Sequence, residues 1–335
     1  MIRQLLARLG SRPVAAGTEA IVWAYRLFLD REPESDATVA QLASDLPTSA
    51  DIRRRFMASA EYRQRIGGGA RPSLNGHESP MRIEDVDDPV AIGRLLAHIA
   101  KTWTQFGDTE PHFSVITDEK FKAGRIASTI EAFNASGKDS VDRLNAALAR
   151  AGIGQHNDAT CLELGCGVGR VTAWLARRCA RVIGTDVSAS HLALARQHLD
   201  AEGATNVEFH RLATVETLDS LPSFDMFFSV IVLQHNPPPV IKAILERVFA
   251  RLAPGGIAYF QVPTYRAGYS FGLEAYLRDD VGKGEMEMHV LPQRVIMRSA
   301  LQHGLELLEV IEDPYTGMRS GEVSNTFLFC KRAAT

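Results

Sequence analysis

The 335-residue chain is 45% apolar and 23% charged, ordinary globular composition and more than one core usually holds, so two domains are the starting expectation. A formal net charge of −3 and a pI near 6.4 remove the basic excess that drives phosphate-backbone binding, which excludes nucleic acid as a default partner. Four cysteines, Cys161, Cys166, Cys179 and Cys330, form no CxxC pair and have no His-rich neighbourhood, so they read as reduced thiols and no metal is expected. No apolar run reaches the roughly 18 residues that a bilayer span needs, and Arg3, Arg8 and Arg12 interrupt the N-terminus. The expected location is cytoplasmic.

At the N-terminus, Ile2, Leu5, Leu6 and Leu9 make an apolar helical stripe opposite arginines. Packing of that helix on its own domain is the preferred reading; weak membrane-surface contact is the alternative. Apolar residues at helical spacing follow from Ile21 to Tyr62, broken by Pro33 and Pro47, and predict three or four short helices in an accessory all-α domain over 1–66. Arg53, Arg54 and Arg55 cluster there, but ten arginines face eight acidic residues over 1–70, which favours a solvated face over a phosphate site. Glycines and prolines at 67–80 leave little to bury and mark a linker. The second domain then covers 81–335, with lead-in helices over 81–140 and a core over 141–335.

In that domain a helix from residue 90 leads to a polar and aromatic segment around Trp103 and Phe113, then to a helix near 138–151. Apolar, turn-bounded runs at 160–165, 181–187, 206–212, 224–233 and 256–262 alternate with helical patterns at 169–178, 189–202 and 238–252. Continuous apolar strands alternating with helices imply an α/β fold with a parallel sheet covered on both faces. A helix at about 292–303 and strands at 305–311 and 325–331 complete the chain.

The first strand of the core ends in Glu163-Leu164-Gly165-Cys166-Gly167-Val168-Gly169, directly before a helical pattern. Glycine there lets the backbone turn tightly and lets a nucleotide-like ligand approach main-chain N–H groups at a helix N-terminus. The dinucleotide pattern GxGxxG is interrupted by Arg170 and Thr172, which weighs against a nicotinamide cofactor. Asp186 closes the second strand, 21 positions after Gly165, where a carboxylate can accept hydrogen bonds from both ribose hydroxyls; a plain helix cap is the competing role, with Ser188 also available for it.

With ELGCGVGR, the Asp of GTDVS, FDMFFSVIVLQH and the LAPGG turn on the page, the chain over roughly 140–335 resembles class I methyltransferases dependent on S-adenosylmethionine (SAM). The resemblance implies a Rossmann-like, seven-stranded, mostly parallel sheet with an antiparallel last strand. It also implies SAM as cofactor, with Gly165, Gly167 and Gly169 near its methionine part and Asp186 on the ribose; Glu163, Cys166, Val187 and Gln234 are further cofactor-binding candidates. Many members hold the adenine amine with an acidic residue after the third strand. Here Leu212-Ala213-Thr214-Val215 stands there, so that contact is absent or falls to Thr214 or the backbone. The lead-in, with Trp103 and His112-Phe113-Ser114-Val115, is similar to that of bacterial methyltransferases whose fourth strand ends in LQH. AYRLFLDREPESD and FMASAEYR resemble a helical module of bacterial surface and glycan-assembly proteins, which hints at a polysaccharide or glycolipid acceptor.

Methyl transfer from a sulfonium is an in-line displacement, and an alcohol acceptor also loses a proton, work that suits a histidine titrating near operating pH. His235, just past the fourth strand, and His289, in MEMHVLPQ, are the catalytic candidates. No acidic pair follows the fourth strand to hold a divalent ion. The leading expectation is therefore O-methylation of a small-molecule, saccharide or glycolipid acceptor. The rivals are a nicotinamide-dependent oxidoreductase and a non-catalytic SAM-binding scaffold; the oligomeric state is left open.

Overall fold

A computed structural model describes residues 17–59, 61–62, 74, 76–154, 156–278, 286–317 and 321–333, and the described part of the first of its two units, Met1–Pro72, holds short helices. The N-terminal stripe at Ile2–Leu9 and most of the linker lie outside those residues. Helix α1 (Thr18–Ala24) continues as a π-helical turn, Tyr25–Leu29, and ends at Asp30 with a φ of 48°. Helices α2 (Asp36–Asp45) and α3 (Ser49–Met57) start where Ser35 and Thr48 accept backbone N–H groups, from Thr38 and Asp51, each at 3.2 Å. Ile21, Tyr25, Leu29, Val39, Ile52 and Phe56 form a core of their own, with the Tyr25 and Phe56 rings edge to face at 5.0 Å. Arg53, Arg54 and Arg55 all point to solvent.

The second unit, Ser73–Thr335, begins with β1 (Arg82–Ile83) and α4 (Pro89–Thr109), whose first turn has the Asp88 cap and Pro89. Next come α5 (Pro111–Val115), α6 (Ile130–Ala135) and α7 (Gly137–Arg150). The alternating core follows: β2 (Thr160–Leu164), α8 (Thr172–Ala176), β3 (Arg181–Asp186), α9 (Ala189–Ala201), β4 (Val207–Arg211), α10 (Thr217–Ser220), β5 (Phe224–Ser229) and α11 (Pro238–Arg251). It ends with β6 (Leu252–Arg266), β7 (Ser270–Phe271), α12 (Leu273–Arg278), α13 (Gln293–Gln302), β8 (Leu305–Glu312) and β9 (Glu322–Lys331).

The main sheet has seven strands in the order β4-β3-β2-β5-β6-β9-β8. All its pairs up to β6 are parallel, and β9 lies antiparallel between β6 and β8. This is the Rossmann-like arrangement expected. Strands β2 and β6 are largely apolar in their middle because both faces are covered. Leu162, Leu164, Ala258 and Phe260 join a core with Leu95 of α4, Phe249 of α11 and Ile296 of α13, while their neighbours Cys161, Ile257 and Tyr259 join one with Leu144 of α7 and Leu175 of α8. Strand order reverses at β2, flanked by β3 and β5, and such a switch point leaves a crevice at the carboxyl ends of the strands.

Three local readings need correction. The apolar run at 224–233 stays a strand only to Ser229; Ile231 then takes a φ of 60°, and its N–H turns to the Gln261 side-chain oxygen at 2.9 Å. The first core helix starts at Thr172 because its first turn is spent on the glycine loop. The parallel pair β1–β7 was not read, being two residues long on each side and too short for any periodicity.

Phe260 of β6 is fully buried and stacks on Phe327 at 5.4 Å and Phe329 at 6.0 Å, both on β9, the antiparallel strand paired with β6. Phe260→Ala is expected to lower unfolding free energy by about 3–5 kcal/mol in denaturant titrations; a loss under about 1 kcal/mol would show that this seam repacks freely.

Candidate cofactor and acceptor site

The loop after β2 is pinned from β3: the N–H groups of Gly165 and Cys166 both donate to the Thr185 carbonyl, at 2.7 and 2.9 Å. Gly165, Gly167 and Gly169 have φ of 73°, 54° and 84°, a region costly for residues with a Cβ. Their surroundings separate their duties. A Cβ on Gly165 would strike Val232, and one on Gly167 would stand 2.8 Å from Val115 Cγ2, both across the crevice. A Cβ on Gly169 would instead stand 2.7 Å from Leu199 Cδ2, behind the loop, so that glycine lets α9 pack closely.

Asp186 ends β3 facing this loop. Its Oδ2 accepts the Gly167 N–H at 3.0 Å and its Oδ1 the Ser188 N–H at 2.9 Å. Ser188, not Asp186, caps α9, since its hydroxyl accepts the His191 N–H at 3.3 Å. The crevice wall gathers Glu163, Gly165, Cys166, Gly167, Asp186, Val187 and His235 among the residues singled out in the sequence. Glu163 is fully buried, its Oε2 has no hydrogen-bond partner, and burial pushes its pKa up to about 7 against the pull of Thr172 and Arg170. Burial likewise drives the Cys166 thiol well above its usual range.

His235 sits on the wall between Trp103, ring centroids 4.9 Å apart, and the Glu287 carbonyl, to which Nδ1 donates at 2.7 Å. That leaves Nε2 as the acceptor, 3.2 Å from the Gln234 amide nitrogen. Burial takes its pKa down to about 4, with His289 adding to the drop, so the ring is neutral at physiological pH instead of titrating there as its residue type suggests.

Four of the sequence candidates are not on this wall. Gly169 lies behind the loop. Thr214 is exposed, its N–H turned to the Thr217 hydroxyl at 3.4 Å. The Gln234 side chain is buried in a polar chain, accepting from Gln261 at 3.0 Å and meeting His235. His289 is held by the Tyr269 hydroxyl at 2.8 Å and Glu287 Oε2 at 3.1 Å, and its N–H reaches the Gln234 carbonyl at 2.6 Å, so it sits behind His235. Glu287 also accepts from Tyr276 at 2.6 Å, and its bond with His289 holds its pKa below the usual carboxylate range.

Other wall residues have no individual role legible in the sequence, Trp103, Ser114 and Val115 being singled out there only as part of the lead-in: Ile99 and Trp103 of α4, Ser114 and Val115 of α5, Arg170, His191 and Asn236. The left-handed backbone of Ile231, strained for a β-branched residue, was equally silent. Among the described residues no group of three metal-ligating side chains occurs, and no helix is long and apolar enough to cross a membrane.

Residues 161–256 match the sequence pattern of the methyltransferase domain family. Residues 161–256 are thus a methyltransferase domain, and the fold and glycine loop that hold it are of the Rossmann-like kind expected for one that uses SAM. A trans-aconitate 2-methyltransferase of Variovorax paradoxus is 33% identical over 135 residues, 38% of this chain and 49% of that protein. A ubiquinone biosynthesis O-methyltransferase of Pseudomonas fluorescens is 30% identical over 133 residues, 39% of this chain and 53% of that protein. The chain thus spans about half the length of the curated relatives it matches. Among solved structures, magnesium protoporphyrin IX methyltransferase from Synechocystis is similar at 18% identity and a TM-score of 0.43, over 58% of this chain and 84% of that one.

The two glycines should fail differently. Gly167→Val is expected to abolish calorimetric binding of S-adenosylhomocysteine (SAH) while the fold survives, whereas Gly169→Ala should lower stability by about 1–3 kcal/mol through displacement of α9. Unchanged SAH affinity in Gly167→Val would remove the cofactor from this loop.

Proposed function

We propose that the protein transfers the methyl group of SAM to a hydroxyl oxygen of a small uncharged acceptor, with a saccharide or glycolipid as the favoured class. The observation that carries the reading is the left-handed Gly165–Gly167 loop held open opposite the Asp186 carboxylate at the switch point of the sheet. In this reading Glu163 takes the methionine ammonium, the loop N–H groups and Cys166 line the methionine chain, Asp186 receives the ribose hydroxyls, and Val187 with Leu212 flanks the adenine. The methyl then points toward Trp103 and His235.

Chemistry there rests chiefly on alignment. The acceptor oxygen would form its bond to the methyl carbon as the carbon–sulfur bond breaks, SAH would leave and the hydroxyl proton would pass to water, while the neutral His235 ring, its Nε2 lone pair taken by the Gln234 amide, shapes the place of the acceptor. A ring with a pKa of about 4 is a weak proton store, so positioning outweighs general-base work. His289 acts from behind, fixing the backbone that carries His235. The charge of the acceptor side favours a neutral substrate over a polycarboxylate. Behind Trp103 and His235 lies a small hollow lined by Tyr276, Met286 and the ionised Glu287, with no lysine or arginine among the described residues. Aromatic faces beside a carboxylate suit a sugar better than an anion. Residues 81–335 carry this chemistry and 1–66 serve as the accessory module.

Labelled SAM incubated with the full chain and host extracts should yield a labelled neutral product, and His235→Ala should lower kcat by about 10²-fold with SAH affinity unchanged. SAH binding without any transfer would favour the scaffold reading; label on a polycarboxylate would overturn the charge argument.

A second expectation follows from Glu163. A carboxyl raised to about 7 from 4.5 in the fold is protonated below neutrality, and ionising it lowers stability progressively as pH rises through that window. A cationic ligand favours the ionised form, so SAM affinity should climb from pH 6 to 8 by about tenfold and the slope should vanish in Glu163→Gln. A pH-independent wild-type affinity would separate Glu163 from the cofactor.

A further inference from the structure

The Ser114 motif of the lead-in remains unexplained by the methyl-transfer reading, and its surroundings give it a task. Ser114 of α5 and His191 of α9 are almost fully buried, lie 77 residues apart in sequence, and join Ser114 Oγ to His191 Nε2 at 3.0 Å. Ser114 has one hydroxyl proton, and it goes to the Pro111 carbonyl at 2.8 Å. The Ser114 oxygen therefore accepts, and His191 carries its proton on Nε2. His191 Nδ1 is left as a lone pair with no hydrogen-bond partner, buried in the crevice wall and 3.6 Å from Asp186 Oδ1.

Two acceptors facing each other across 3.6 Å in a buried site call for a donor between them. A ribose hydroxyl is such a donor. Building on the cofactor reading above, we infer that His191 Nδ1 is a second ribose contact, accepting one hydroxyl while Asp186 accepts the other, and that Ser114 positions it by fixing the tautomer. The lead-in is fastened to this place at further points. Gly107 of α4 lies against Ser188, where any Cβ would collide with the Ser188 hydroxyl, and Asp108 accepts from the Ser190 hydroxyl. The cofactor site is thereby shared between the alternating core and the helices in front of it, and Ser114 is the lead-in residue that acts on the ribose through His191.

The test is a cycle between protein and ligand, read by calorimetry on the full chain with SAH and its 2′-deoxy and 3′-deoxy forms. His191→Gln keeps a polar group at the Nε2 position and loses Nδ1; His191→Asn does the reverse. In wild type, removing the hydroxyl that His191 accepts should weaken binding about tenfold. His191→Gln should bind SAH about tenfold more weakly and be indifferent to that deletion, while His191→Asn should keep the sensitivity. Ser114→Ala, which frees the tautomer, should fall between. An equal deoxy penalty in wild type and His191→Gln, or the same affinity for SAH in both, overturns the inference while leaving the cofactor site standing. Failure of SAH to bind wild type overturns both. Should His191→Gln not fold, loss of the deoxy penalty in His191→Asn or its full retention in Ser114→Ala counts against the assignment.

Discussion

One hydrogen bond organises the site: the Gly167 N–H on the Asp186 carboxylate, at 3.0 Å and across 19 residues of sequence. A loop with three left-handed residues in five is unfavourable on its own, and it persists because its N–H groups have fixed acceptors, the Thr185 carbonyl for Gly165 and Cys166 and the Asp186 side chain for Gly167. The parallel pairing of β2 with β3 sets the register that makes this possible, placing Leu164 opposite Thr185 so that the loop leaves one strand where Asp186 ends the other. Sheet, loop and carboxylate are one construction.

Helices α4 and α5 complete it. Val115 closes over Gly167, Gly107 seats α4 on the turn after β3, and Trp103 brackets His235. Glu163 and His235 are thereby buried, and polar groups so enclosed respond strongly to their surroundings. The same burial that raises Glu163 to about 7 lowers His235 to about 4, because desolvation disfavours the charged form of each. In the proposed reading the ammonium of SAM would recharge Glu163 on binding, while His235 would stay neutral beside the sulfonium.

The core was largely legible. Strands such as β2 and β5 are buried on both faces and read as largely apolar runs, and the glycine loop and Asp186 carry a spacing that few other arrangements require. What escaped has physical reasons. Gly165, Gly167 and Gly169 are one motif in sequence, yet a Cβ at the third meets α9 and at the others meets the opposite wall, a distinction only packing makes. Histidine as a residue type suggests titration near neutrality; burial beside Trp103 decides otherwise for His235, against the upward pull of its bond to the Glu287 carbonyl. Gln234 has the composition of a ligand contact but spends its amide on Gln261 and His235. The pairing of Ser114 with His191 gave no signal because each is a single polar residue on a separate helix, brought together only by the tertiary fold.

The account depends on where the cofactor lies, and a crystal structure of the SAH complex tests that most directly. It should show the ribose hydroxyls within hydrogen-bond distance of Asp186, the homocysteine amine beside Glu163 and the sulfur facing His235. SAH bound elsewhere on the sheet, or in this crevice with its ribose away from Asp186, would contradict it.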